Sequence, residues 1–320
     1  MIAHIHDIVK FYNGNVCPIL GLGTWKSKPN EVTQAVKDAI DIGYRHLDCA
    51  FCYQNEKEVG EAIAAKIKEG VVKRENLFVT SKLWNTFHKP ELVETGLQKT
   101  LKALGLQYLD LYLMHSPIAF PPGEEIFPKD DAGNILTDDI DYIDTWLAME
   151  KLVEKGLVKN IGISNFNQEQ IERLLEKCTI KPVTNQVECH PYLTIKEDSD
   201  FCNSKGITIT AYSPFAAPDR PFATANEPLV LEDPALIKLA AKYKKSTAQI
   251  ALRYQTQRGH IVIPKSVTKS RIQQNFEIFD FELSPKDMQT IDNLNRNRRV
   301  CFMPDGPLKD HKYFPYKSKN

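Results

Sequence analysis

The chain has 320 residues, 42% of them hydrophobic, and its 41 basic side chains balance 41 acidic ones to a formal net charge of zero. That composition permits a large buried core, and an α/β barrel commonly fills this length as one domain. Zero net charge excludes a general polyanion-binding surface, so neither nucleic acid nor a membrane is expected as the partner and any basic site must be local.

The first ten residues include His4, His6 and Asp7 and lack an apolar core, so they do not read as a signal peptide. No later stretch approaches the 18 apolar residues of a membrane span. Seven cysteines, an odd number scattered through a large chain, fit a reduced compartment better than a disulfide framework. The expectation is a cytoplasmic monomer.

In chain order, residues 8–18 read as an N-terminal hairpin. Short apolar runs at 19–23, 46–49, 77–81 and 109–114 read as strands, and four more follow at 160–163, 184–187, 207–211 and 261–263. Helical stripes lie between them. Val32, Ala35, Val36, Ala39 and Ile40 share one face of a helix over 31–42 that Gly43 ends. Further helices are expected over 56–68, 90–104, 142–154, 169–177, 233–257 and 270–276. Residues 117–141 form a long Pro- and acid-rich loop, which over a barrel mouth would shape a pocket. The tail from 298 to 320 shows no periodicity and reads as a second covering segment. Eight strand–helix pairs point to an α/β fold, a (β/α)8 TIM barrel in one domain over 1–320, with long loops over its C-terminal rim. An open doubly wound sheet fits the same pattern.

Polar groups recur directly after these strands: Thr24, Trp25 and Lys26, then Asp48 and Tyr53, Lys82, His115, Ser164 with Asn165, Gln186, Tyr212 and Lys265. Each alone has a plain reading as a solvated loop group or a helix cap. Their recurrence on one rim points to the end of the barrel where such enzymes keep their active sites.

Six runs then make the pattern specific: G-Y-R-H-L-D-C-A-F-C-Y-Q-N-E from Gly43, V-T-S-K-L-W-N from Val79, L-D-L-Y-L-M-H-S-P from Leu109, G-I-S-N-F from Gly162, N-Q-V-E-C-H-P from Asn185 and I-P-K-S-V-T from Ile263. In this order the chain resembles the aldo-keto reductase superfamily, in its aldose reductase and hydroxysteroid dehydrogenase-like branches, from about residue 15 to 316. The resemblance implies a barrel that binds NADPH without a Rossmann domain. The chain carries no complete G-x-G-x-x-G, and Gly21-Leu22-Gly23 is only a fragment of one.

By the same resemblance Tyr53 is the general acid of carbonyl reduction, with Lys82, Asp48 and His115 completing a tetrad. A free phenol titrates near ~10, so it is a protonated but reluctant donor at neutral pH. A neighbouring ammonium would stabilise the phenolate as it forms, a carboxylate would hold the ammonium, and a histidine could orient the substrate oxygen. Ser164, Asn165 and Gln186 match positions that hold the cofactor carboxamide, and Tyr212 matches the aromatic that stacks on nicotinamide, followed by Ser213. Lys265, Ser266, Thr268 and Arg271 match a basic cluster suited to a 2′-phosphate, with Gln274 and Asn275 toward adenine. Asp219 with Lys26 or Lys265 would close a strap over the pyrophosphate. Ala216 and Ala217 stand there in place of a Gly-Ser pair, which leaves the flexibility of the strap open.

For the substrate, Trp25, Trp84, Phe120, Phe127 and Tyr53 could form an apolar wall, with Cys301 and Met303 from the tail. Ser116 and Phe222 replace two indoles common in aldose-type members, which would widen the site. Residues 115–125 resemble the hydroxysteroid dehydrogenase branch, residues 23–26 the aldose branch, and the loop over 123–144 arthropod members, among which reduction of a 3-keto ecdysteroid is known. The expectation is NADPH-dependent reduction of a broad range of aldehydes, with a dedicated 3-ketosteroid reductase as the alternative. An NADPH-binding regulatory barrel without turnover is a third reading. No metal is expected: Cys49 and Cys52 have C-x-x-C spacing but no second pair to complete a zinc site, and Cys189-His190 reads as structural.

Overall fold

The computed structural model of the protein describes residues 8–220, 223–224, 227–301 and 307–316. An antiparallel hairpin, β1 (Ile8–Lys10) and β2 (Val16–Pro18), precedes the main sheet. Eight parallel strands then follow in sequence order: β3 (Leu22–Gly23), β4 (His46–Asp48), β5 (Phe78–Leu83), β6 (Leu111–Met114), β7 (Ile161–Ser164), β8 (Thr184–Glu188), β9 (Thr208–Tyr212) and β10 (Ile261–Val262). Parallel strands buried on both faces tend to read as apolar runs, as L-Y-L-M in β6 and I-G-I-S in β7 do, whereas H-L-D in β4 and T-N-Q-V-E in β8 carry buried polar side chains.

The sheet closes on itself. Leu20 bridges Val262 and Gly23 bridges Lys265, both in parallel, and the Gly21 N–H donates to the Val262 carbonyl at 2.9 Å. A Cβ on Gly23 would stand 2.7 Å from the Ile263 carbonyl oxygen, and one on Gly21 2.7 Å from His46 Nδ1. The Gly-Leu-Gly run is therefore the join of a (β/α)8 barrel, and the open-sheet alternative falls away. Beneath the barrel, Phe11 and Cys17 of the hairpin pack on Phe78, Leu111 and Ile261 at the starts of β5, β6 and β10.

Helices α1 (Pro29–Ile42), α2 (Glu56–Lys68), α3 (Val93–Leu104), α4 (Tyr142–Glu154) and α5 (Gln168–Leu175) occupy the expected crossovers. The first turn of the third crossover is a 3₁₀ helix, Pro90–Leu92. Helix α6 (Lys196–Ser204) was not expected, because K-E-D-S-D-F-C-N-S buries only Ser199 and Cys202 and carries no apolar stripe. The single helix expected over 233–257 is two, α7 (Pro234–Tyr243) and α8 (Thr247–Gln257). Lys244 takes φ +54° and ends α7, and Ser246 with Gln249 forms a reciprocal cap that starts α8. That S-x-x-Q signal lay inside an unbroken apolar stripe. Helix α9 (Lys269–Phe276) completes the barrel, and α10 (Pro285–Asp292), unforeseen, starts from a Ser284 cap. The loop after β6 has no helix or regular strand of its own and is pinned by the bridges Ala119–Asp138 and Lys129–Ile135. Among the described residues, no helix is long and apolar enough to cross a membrane.

Candidate active site

Among the described residues, six of the nine non-glycine residues with positive φ lie just beyond strand ends on one rim: Lys26, Gln54, Asn165, Ser213, Ala216 and Ala217. Left-handed backbone at such residues is costly, and its concentration at one place marks a site whose geometry the surroundings impose. A cavity of about 810 Å³ opens there. Its wall includes most of the side chains that sequence reasoning named.

At its floor, the Lys82 ammonium is fully buried. It donates to Asp48 Oδ1 at 2.6 Å, to the Cys49 carbonyl at 2.8 Å and to the Tyr53 hydroxyl at 3.3 Å. Lys82 sits behind Tyr53 rather than in the wall. The Tyr53 and His115 ring centroids are 6.0 Å apart, nearly perpendicular. Burial pushes the Tyr53 phenol well above its ordinary value, and Asp48 adds to that. The expected downward pull of Lys82 does not set the balance, because burial outweighs it. Burial, with Lys82 and His88, holds the His115 imidazole well below its usual range, so the ring is neutral at pH 7.

Sequence reasoning set Cys52 aside, yet its Sγ lies 3.6 Å from His115 Nδ1. Burial pushes this thiol far up, so it stays S–H and can donate to that nitrogen. Only the position next to Tyr53 could have signalled this contact. All seven cysteines are free, and no cluster able to hold a metal occurs among the described residues.

Beside this floor stands a set of amides. Gln186 Nε2 donates to Asp48 Oδ2 at 2.8 Å, so Gln186 braces the tetrad carboxylate as well as facing the cavity. Asn165 Nδ2 donates to the His115 carbonyl at 3.0 Å and to Ser164 Oγ at 3.1 Å. Its Oδ1 accepts from Tyr212 Oη and from Tyr316 Oη, both at 2.9 Å. Tyr316 was absent from the sequence-based site.

At the far end lie Lys265, Ser266, Thr268, Arg271, Gln274 and Asn275. The Thr268 N–H donates to Ser266 Oγ at the start of α9. Between the two ends, a strap after β9 reaches back over the cavity. Lys26 Nζ contacts Asp219 Oδ1 at 3.0 Å and the Asp219 carbonyl at 2.6 Å, and Lys265 Nζ lies 3.5 Å from Oδ2. Both lysines thus meet Asp219, where sequence reasoning left the choice open. Against the opposing effect of burial, they hold its carboxyl below the ordinary range. Ala216 and Ala217 take φ +59° and +39°.

The outer wall is aromatic. Trp84 packs edge-on against His115, Phe120 and Phe127, with centroids 5.2, 5.7 and 5.2 Å away, and its Nε1 donates to the Ile126 carbonyl of the long loop. Trp25 and Ser116 line the same space, and Ser116 Oγ accepts from the Ile118 N–H at 3.0 Å. From the tail, the Cys301 thiol donates to Ser213 Oγ at 3.1 Å and is pushed up to about 12, mainly by burial, so it is no thiolate nucleophile at neutral pH. Buried Glu188 holds this segment by accepting from the Val300 and Cys301 N–H groups at 2.7 and 2.9 Å. Phe222 and Met303 lie outside the described residues.

A family model described as Aldo/keto reductase family matches residues 19–296. Among curated proteins, the chain is 55% identical to aldo-keto reductase family 1 member A1 of Gallus gallus over 294 residues, 92% of this chain and 90% of that protein. It is 48% identical to aldo-keto reductase family 1 member C15 of Rattus norvegicus over 314 residues, 96% of each. Among solved structures, the aldose reductase of Schistosoma japonicum superposes with a TM-score of 0.90 at 44% identity, covering 98% of this chain and 99% of that one.

Proposed function

The chain belongs to the aldo/keto reductase family, and from that premise we propose that it reduces aldehydes and ketones to alcohols with NADPH, Tyr53 giving the proton. The observation that carries this reading is a buried ammonium held between Asp48 and the Tyr53 hydroxyl, beside a neutral His115, at one end of a cavity whose other end is basic. The cavity suits a dinucleotide phosphate. An amide set lies at its chemical end, cations at Lys265 and Arg271 suit a 2′-phosphate, and two strap lysines flank the middle. When bound, reduced nicotinamide supplies the hydride for the carbonyl carbon.

The chain's own side chains do the rest. Tyr53 is protonated at pH 7 and passes its proton to the carbonyl oxygen. The Lys82 ammonium at 3.3 Å stabilises the phenolate that forms, and Asp48 keeps Lys82 charged inside the barrel. With the Cys52 thiol donating to Nδ1, the neutral His115 carries its proton on Nε2 and offers it as a hydrogen bond to the substrate oxygen. Buried Trp84 and Phe120 wall off the outer side, with Phe127 packed against them at the exposed rim. The seven free cysteines fit work in a reducing cytoplasm.

The test is Tyr53→Phe. NADPH binding, followed by fluorescence, should persist, while kcat for a simple aldehyde should fall by about 10²–10⁴. A variant that keeps half of the wild-type kcat would overturn the assignment. The substrate is proposed as a broad range of aldehydes. A second reading, a 3-ketosteroid reductase, is favoured by Ser116, whose small hydroxyl lines the cavity beside His115. Comparing kcat/KM for glyceraldehyde, a long enal and a 3-ketosteroid separates the two.

A further inference from the structure

We propose that Tyr316 is a positioning residue for the nicotinamide carboxamide, acting through Asn165. This rests on the cofactor reading above and adds to it a residue from the covering tail.

Asn165 follows β7 with φ +63° and is buried. An amide oxygen has two acceptor sites and an amide nitrogen two donors. Here all four are used: Oδ1 by the hydroxyls of Tyr212 and Tyr316, Nδ2 by the His115 carbonyl and Ser164 Oγ. Turning the amide over would set Oδ1 against the His115 carbonyl, so only one orientation is compatible with these neighbours. Tyr212 lines the cavity as the expected stacking ring, and its hydroxyl contact is the one open to exchange when a ligand enters. The Tyr316 contact comes from outside the barrel and can stay.

Tyr316 is itself held firmly. Asn167 Nδ2 donates to the Pro315 carbonyl at 3.0 Å, and Gln170 Nε2 donates to the Tyr313 carbonyl at 2.9 Å. These two side chains also form the reciprocal cap of α5, so the tail is moored to the helix that begins just after Asn165. The Arg299 guanidinium lies 3.6 Å from the centre of the Tyr316 ring. Burial raises the Tyr316 phenol, which keeps it a donor. The tail therefore reaches the tetrad by two hydrogen bonds, from Tyr316 to Asn165 and from Asn165 to the backbone of His115.

Tyr316→Phe removes one hydroxyl and leaves the ring in place. Binding of NADP+ and of 2′,5′-ADP, which lacks the nicotinamide half, is measured by calorimetry on the full chain. A neutral hydrogen bond lost from the amide predicts roughly three- to tenfold weaker NADP+ binding and unchanged 2′,5′-ADP binding. In an Asn165→Ala background the tyrosine substitution should add nothing, because its effect runs through that amide. Unchanged NADP+ affinity, or equal weakening of both ligands, would overturn the proposal. Wild-type protein that binds neither ligand would overturn the cofactor reading itself, and the role of Tyr316 with it.

Discussion

Replacing Asp48 by asparagine tests the tetrad where its energetics are most exposed. Lys82 and Asp48 are 0% and 2% exposed, with 2.6 Å between Nζ and Oδ1. The substitution keeps the shape and removes the charge. The ammonium then has only neutral acceptors, the amide oxygen in place of the carboxylate, the Cys49 carbonyl and the Tyr53 hydroxyl. Stripping one partner from a buried pair costs about 3–5 kcal/mol. The protein has an escape, which is to fold with a neutral amine. Drawn from an unfolded chain whose lysine titrates near ~10.4, that escape costs about 4.6 kcal/mol at pH 7 and about 1.9 kcal/mol at pH 9. The smaller of the two costs sets the loss. The variant should be about 3–4.6 kcal/mol less stable than wild type at pH 7 and under about 2 kcal/mol less stable at pH 9. The sign follows from proton counting: the folded variant binds fewer protons than its unfolded chain, so its stability rises with pH relative to wild type. Urea denaturation followed by tryptophan fluorescence at both pH values measures it. A loss below about 1 kcal/mol at pH 7, or one that does not change by pH 9, would refute the argument that Asp48 exists to keep a buried ammonium charged.

Two further titrations have worked signs. Glu56 is buried at the start of α2, accepts from Ser81 Oγ at 2.5 Å and Thr100 Oγ1 at 3.1 Å, and is raised mainly by burial to about 6. A raised carboxyl adds stability below its ordinary value and loses it as pH climbs through 6, by about 2 kcal/mol. The wild-type advantage over Glu56→Gln should shrink by that amount between pH 4.5 and 8, and a constant difference would count against it. His88 is fully buried, neither ring nitrogen has a hydrogen-bond partner among the described residues, and burial lowers it to about 3. Its neutral form adds stability above pH 6.5 that is lost on acidification, at about 1.4 kcal/mol per pH unit. His88→Phe should flatten the acid limb by one proton. Identical slopes in urea melts from pH 6 to 4 would remove this explanation.

The strands were legible as short runs alternating with helical stripes, most plainly in apolar β6 and β7, and the rim chemistry was legible because it follows them directly. Helix α6 was not, since its nine residues bury too little apolar surface to mark a stripe. The break between α7 and α8 was hidden for the opposite reason, an apolar pattern that runs across it. Within the site, side chains close to a strand end could be named, but not which of them meet. Gln186 reaches Asp48 across 138 positions and Tyr316 reaches Asn165 across 151. No periodicity encodes such pairs, because closure of the barrel and docking of the tail bring them together. The direction of the Tyr53 shift was hidden for a similar reason: spacing along the chain says nothing of how deeply the phenol is buried.

The two left-handed alanines of the strap bear on timing. Each backbone of this kind costs about 1 kcal/mol or more, whereas exposed ion pairs are worth about 0–1 kcal/mol. Asp219 is 58% exposed, so its links to Lys26 and Lys265 do not outweigh the bend at Ala216 and Ala217. On the proposed cofactor reading, a phosphate lying against both ammonium groups would add to these links, so the strap should hold more firmly with the ligand than without it. Added salt weakens those contacts without relaxing the bend. Ionic strength should therefore act as a clock on ligand departure, shortening residence at the middle of the cavity while the proton chemistry at Tyr53 runs unchanged.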